Sequence, residues 1–226
     1  MRPPAGLDPS PQLHCLTSTS VIWYFSAVSI RLIAGEFRGR RLQAGPGPAI
    51  RPTADRVKES VFALLDARGA VRGARVADLC AGAGGLGLEA LSRGARSVVF
   101  VERARSALAL LQQNLAHLGL THDPRIRTLC GDACRTIASG ALGPVDLILS
   151  DPPYDDHAGP ALLEAVAGAA SLTLGGWMLV EHGRDEIFAD AYGHLERDST
   201  RAYGKTVVEV YTRRRPFADA PPATDG

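Results

Sequence analysis

Four consecutive residues, Asp151, Pro152, Pro153 and Tyr154, put a carboxylate, two rigid imino acids and an aromatic ring side by side. Together they suit chemistry on a planar amine. Asp151 can accept a hydrogen bond from an –NH2 group. The prolines stiffen the turn and carry no N–H, so neighbouring carbonyls can serve as acceptors. Tyr154 offers a flat face for stacking. The same residue types also make an ordinary stiff turn after a strand. The apolar run over 145–150, bounded by Gly-Pro before it and Pro-Pro after it, reads as a buried strand. The tetrapeptide then lies at a strand's carboxyl end, where open α/β sheets bind their ligands.

A second group lies upstream. An apolar strand over 75–79 runs into a glycine-rich turn, then into a helix whose apolar positions are Leu86, Leu88, Ala90 and Leu91. The spacing Gly82-x-Gly84-x-x-Gly87, with Glu102 placed 20 residues after Gly82 for a ribose hydroxyl, matches a dinucleotide fingerprint. It fits NAD as well as other nucleosides. Asp78, ahead of the glycines, separates them, because a carboxylate there repels a pyrophosphate and attracts an ammonium. S-adenosylmethionine carries an α-ammonium and a sulfonium and no phosphate, which favours it over NAD. A β-branched side chain at Gly84 is expected to fill the space the nucleoside needs.

Asp78 to Gly84, Glu102, Asp132 and Asp151 to Tyr154 resemble the ordered motifs of class I S-adenosylmethionine-dependent methyltransferases of the amino-group type. More narrowly, segments 31–42, 51–62 (with Arg51-Pro52-Thr53 and Asp55-Arg56-Val57) and 87–95 resemble the RsmD family. Its members are 16S ribosomal RNA guanine-N2 methyltransferases, and the resemblance runs over about 30–213. It implies that Asp78, Gly82 and Gly84 hold the methionine end of the cofactor, and that Glu102 takes the ribose. It implies that Asp132 receives the adenine amine, although a surface turn acid is the plainer reading of that residue. It implies a guanine drawn out of its stack against Tyr154, with Asp151 and a carbonyl from Asp151 or Pro152 orienting its exocyclic amine. Where the family usually carries an aromatic and then Ala-Gly-Ser-Gly, this chain has Cys80-Ala81-Gly82-Ala83-Gly84. Rival readings are DNA adenine-N6 or protein glutamine-N5 methylation, NAD-dependent oxidoreduction, and a silent nucleic-acid-binding partner.

These residues must be positioned by a sheet. Strands are predicted over 75–79, 97–101, 126–130, 145–150 and 177–181, and helices over 86–92, 106–118, 160–170 and 185–192. That alternation is an α/β, doubly wound Rossmann-like sheet. Strands over 195–202 and 205–212 meet at Tyr203-Gly204 as a terminal antiparallel hairpin. Thr53 or Asp55 caps a further helix carrying Val57, Val61, Phe62, Leu64 and Leu65. The organisation expected is a disordered or spurious leader over 1–29, a basic N-terminal hairpin or arm over 30–52, a methyltransferase domain over 53–214 and a disordered tail over 215–226.

Hydrophobic residues make up 46% of the 226, enough for a sizeable core, and the net charge is only +1, so any nucleic-acid surface must be local. From Arg31 to Lys58 seven cationic side chains stand against Glu36 and Asp55. Arg38, Arg40, Arg41, Arg51 and Arg56, with Lys205 on the terminal hairpin, are the candidate contacts to ribosomal RNA or an assembling 30S particle; a solvated hairpin face is the bland alternative. The apolar stretch 21–30 is about half the length of a membrane span. Four scattered cysteines make neither a disulfide framework nor a zinc site and suit a reducing cytoplasm. A cytoplasmic monomer without metal is expected.

Overall fold

The computed structural model describes residues 29–45, 52–153 and 158–214, with backbone alone for 52–54. The expected tail, all but Ser29 of the expected leader, and the candidates Arg51 and Tyr154 lie outside the described residues. The chain opens with strands β1 (Ser29–Arg31) and β2 (Arg41–Gln43), followed by helix α1 (Pro52–Ala67). Then come β3 (Arg75–Leu79), α2 (Gly85–Ser92), β4 (Ser97–Glu102), α3 (Arg105–Leu118), β5 (Ile126–Cys130), α4 (Ala133–Ala138), β6 (Val145–Ser150) and α5 (Gly159–Ala167). Four strands end the order: β7 (Leu172–Gly183), β8 (Ala191–Tyr192), β9 (Leu195–Tyr203) and β10 (Thr206–Arg213).

Eight strands form one sheet in the order β5-β4-β3-β6-β7-β10-β9-β8. The first five are mutually parallel, and β10, β9 and β8 add antiparallel pairs at one edge. Strand order reverses at β3, flanked by β4 on one side and β6 on the other, so the crevice for a ligand opens above the carboxyl ends of β3 and β6. Both faces of the sheet are covered. In β6, Leu147 and Leu149 join the cluster of Phe62, Leu88 and Phe100, while Ile148 faces Leu162, Leu163 and Met178. A strand buried on both faces reads as a continuous apolar run, as 145–150 does.

β1 pairs with β2 antiparallel, giving the N-terminal hairpin. It is lashed to the core. Leu32, Phe37 and Leu42 are buried with Phe62 and Leu88. The Ile33 and Ala34 N–H groups donate to the Glu89 carboxylate at 2.8 and 3.1 Å, and the Phe37 N–H donates to Ser92 Oγ at 2.9 Å. Gln43 and Asn114 exchange a pair of hydrogen bonds at 2.8 and 2.9 Å.

Two helices depart from the sequence reading. The helix predicted over 185–192 does not form; a turn leads instead into the short β8. Phe188 is buried there beside His182, but Ile187 is 89% exposed, so that stretch has no continuous apolar face to support a helix. Helix α4, only six residues long, went unpredicted because one and a half turns carry too little periodicity. Its start is fixed by Asp132, whose Oδ1 accepts from the Arg135 N–H at 2.9 Å.

Candidate functional site

Two connected lobes open above the carboxyl ends of the parallel strands, and Cys80, Gly82 and Asp151 line both. The larger, about 600 Å³, is walled by Glu102, Asp132, Cys134, Pro152 and Pro153. The smaller, about 300 Å³, is walled by Asp78, Glu181, Lys58, Asp55, Ile30 and the first turn of α2. The strand ends thus bring together seven of the predicted residues, Asp78, Gly82, Glu102, Asp132, Asp151, Pro152 and Pro153.

The glycines behave differently from expectation. Gly84 lines neither lobe. It caps α2 at φ 85°, its N–H donates to the Ala81 carbonyl at 2.7 Å, and a Cβ there would lie 2.5 Å from Leu111 Cδ1. A side chain at Gly84 therefore collides with Leu111 and Leu88 of the core, away from both lobes. Gly82, at φ 54°, is the glycine that faces the cleft: a Cβ there meets nothing within 4 Å. Its N–H is already taken by Glu102 Oε2 at 2.9 Å, while Glu102 Oε1 accepts from the Ala104 N–H at 2.8 Å. The loop thus offers a ligand close approach rather than spare donors. Gly87 packs α2 onto the sheet, since a Cβ would lie 2.4 Å from the Phe100 ring.

The acids set the electrostatics. Asp78 is buried, its Oδ2 accepts from the Gly87 N–H at 2.7 Å, and burial pushes its carboxyl up to about 8, against the pull of that hydrogen bond and with Glu102 adding. Asp151 faces the open cleft, so water reaches it, yet protein encloses its other sides. Burial first, then Glu181 and Asp78, hold its carboxyl well above the usual carboxylate range. Clustered acids of this kind await a cation or strong donors. Asp132 is exposed and is both a helix cap and a wall residue of the larger lobe.

Ile30, Lys58, Glu181 and Cys80 are among the lining residues that the sequence did not mark as site residues. Ile30 and Lys58 reach the smaller lobe from the hairpin and α1. Glu181 follows an apolar run, as Asp151 does, and that shared position was a usable signal. Cys80 holds φ 61°, a left-handed conformation rare outside glycine. Burial, then Glu102 and Asp78, push its thiol up to about 12, so it stays protonated.

The candidate cations divide between two ends of the molecule. Lys205 sits on the tip joining β9 to β10, whose first residue Thr206 pairs with Gly183 at the cleft end of β7. Arg56 is exposed on α1 beside Asp55, and Arg41 reaches Ser29 Oγ at 2.9 Å near Ile30. Arg38 and Arg40 lie at the opposite edge. There the hairpin meets the carboxyl ends of α2 and α3: the Glu36 N–H donates to the Ser92 carbonyl, and Arg40 donates to the His117 carbonyl at 2.7 Å. Among the described residues no helix is long and apolar enough to cross a membrane, and no group of three or more His, Cys, Asp or Glu could hold a metal.

Comparison with known proteins gives a consistent picture. The family described as "Conserved hypothetical protein 95" matches residues 30–212. A Bacillus subtilis (strain 168) protein, YlbH, to which rRNA methyltransferase activity is ascribed, is 36% identical over 187 residues, covering 82% of this chain and all of that one. Ribosomal RNA small subunit methyltransferase D of Escherichia coli (strain K12) is 36% identical over 132 residues, 55% of this chain and 60% of its own. Among solved structures, yhhF from Escherichia coli, with an ascribed methyltransferase activity, superimposes with a TM-score of 0.70 at 27% identity, covering 83% of this chain and 99% of that one.

Proposed function

The chain belongs to the family described as conserved hypothetical protein 95, whose relatives are methyltransferases of the RsmD type, and from that premise we propose that it methylates the exocyclic N2 amine of a guanine in small-subunit ribosomal RNA. The observation that carries this reading is the convergence of Asp78, Gly82 and Asp151 on one cleft at the point where strand order reverses.

The residues present fit S-adenosylmethionine. Open space above Gly82 admits a nucleoside, and the buried carboxylate of Asp78 at the wall of the smaller lobe suits its ammonium. Asp78 would hold the ammonium, Glu102 the ribose and Asp132 the adenine amine. The bound cofactor supplies a methyl group on a sulfonium that becomes neutral as the methyl leaves. The chain's work is then positioning. Asp151 accepts one N–H of the guanine N2 amine, and the prolines, lacking N–H groups, leave carbonyls available for the other. With the methyl donor bound, Asp151 would hold the N2 amine in line with the methyl group and, with solvent, would accept the proton that N2 gives up. Alignment supplies most of the rate gain.

The test is transfer of a labelled methyl group to small-subunit RNA, read at nucleotide resolution. Wild-type protein should label one guanine at N2. Asp151→Ala should lower the rate at least about 100-fold with cofactor affinity changed less than about threefold, since lost alignment acts on turnover. A variant keeping more than about a tenth of the rate would remove Asp151 from this role.

A further inference from the structure

We propose that Glu181 accepts the N1–H of the target guanine beside Asp151 and so sets the base specificity of the site, an inference that rests on the amine-methylation reading above.

Ser150 of β6 is in register with Val180 of β7, so Asp151, just past the end of β6, stands beside Glu181, which lies within β7 and pairs with Val208 of β10. Parallel strands lie about 4.8 Å apart. Both residues line the smaller lobe. They sense each other electrostatically, Glu181 standing next after burial among the causes that raise the Asp151 carboxyl. Two carboxylates lining one lobe from neighbouring strands favour a ligand that brings donors to both.

Guanine is the base whose pairing edge presents adjacent donors, N1–H and the N2 amine. Adenine presents an amine beside a bare N1, and cytosine an amine beside a bare N3. With Asp151 on the amine, Glu181 meets a donor in guanine and a lone pair in the other two. Facing a lone pair once the bound base has displaced water leaves a carboxylate uncompensated, a penalty large enough to decide substrate choice. Two bonds to one edge also fix the base's rotation in its own plane, which a single bond to the amine cannot. A carboxylate has lone pairs for more than one donor, so Glu181 can keep its contacts within the protein.

RNA with 2-aminopurine in place of the methylated guanine keeps the N2 amine and replaces N1–H with a lone pair. Wild-type protein should methylate it at least about 100-fold less efficiently in kcat/KM than guanine. Glu181→Gln, whose amide can donate to N1, should shrink or invert that ratio while cofactor affinity stays within about twofold. Equal wild-type rates on guanine and 2-aminopurine would overturn the proposal without any variant, as would a folded Glu181→Gln with an unchanged ratio. Loss of cofactor binding in that variant would also overturn it, since Glu181 would then serve the ammonium. Failure of wild-type protein to methylate any guanine would instead sink the underlying reading.

Discussion

Asp78 carries its cleft's charge balance in a form that pH can report. Its carboxyl is pushed up to about 8 in the folded protein by burial, whereas an unfolded carboxyl titrates near about 4. Between those values the folded protein holds a proton the unfolded chain has lost, so unliganded stability falls as pH rises through that window. Binding of a cation has the opposite preference, because it needs the ionised form. Cofactor affinity should therefore climb by up to about tenfold per unit from pH 6 to pH 8 and level off above. Calorimetry in buffers of different ionisation enthalpy should register proton release on binding, and Asp78→Asn should abolish both effects. Gly82 and Gly84 make a matched pair of probes on the same loop. Gly82→Val should place its side chain in open cleft space and weaken cofactor binding at least about tenfold, its cost to folding being the backbone strain of a β-branched residue at φ 54° without any collision. Gly84→Val should instead lower the melting temperature by colliding with Leu111 and Leu88. Reversal of the two phenotypes would overturn the assignment of faces.

At the scale of elements, the hairpin depends on Glu89. This helix residue is 0% exposed and holds two hairpin N–H groups, with Arg93 Nε at 2.7 Å and Lys58 Nζ at 3.6 Å providing the opposing charge. Lys58 in turn donates to the Arg31 carbonyl at 2.6 Å and lines the smaller lobe. The same buried cluster thus fixes the hairpin and one wall of the site. Removing Glu89 leaves two hairpin N–H groups without their acceptor and leaves Arg93 with Asp66 and Lys58 with the Arg31 carbonyl as their remaining partners. Glu89→Ala should cost about 3–5 kcal/mol, read by denaturant unfolding, with Glu89→Gln costing less. Its net charge in water is no guide to this, since burial makes the loss of one partner expensive.

For the whole molecule, near-neutral net charge conceals a separation of surfaces. The cations at the cleft end, Arg41, Arg56 and Lys205, can meet a backbone whose base has entered the cleft. Arg38 and Arg40 face the opposite edge, and Arg40 is engaged at the carboxyl end of α3. Neutralising Arg41, Arg56 and Lys205 together should flatten the slope of log affinity against log salt by about one unit per lost phosphate contact. Replacing Arg38 and Arg40 should leave the slope unchanged. RNA affinity measured at two salt concentrations separates the outcomes, and a flattened slope from Arg38 and Arg40 alone would place the RNA across the other edge.

The sequence alone determined the parallel strands, the glycine turn and the Asp151-Pro152-Pro153 corner, because each is written in contiguous residues. Apolar runs with Gly or Pro at their ends specify strand and turn locally. It also marked Asp78, Glu102 and Asp132, which follow or close such runs. Tertiary structure decided what no local pattern encodes: the direction in which a glycine's missing side chain would point, the end of the molecule a given arginine occupies, and the partners of a buried acid. Gly82 and Gly84 are two residues apart in the same motif, yet one faces the cleft and the other Leu111. Arg38 and Arg41 belong to one basic run, yet the hairpin carries them towards different edges of the sheet. Glu181 joined Asp151 only once β7 had paired with β6, because proximity across strands is set by register and leaves no trace in sequence spacing.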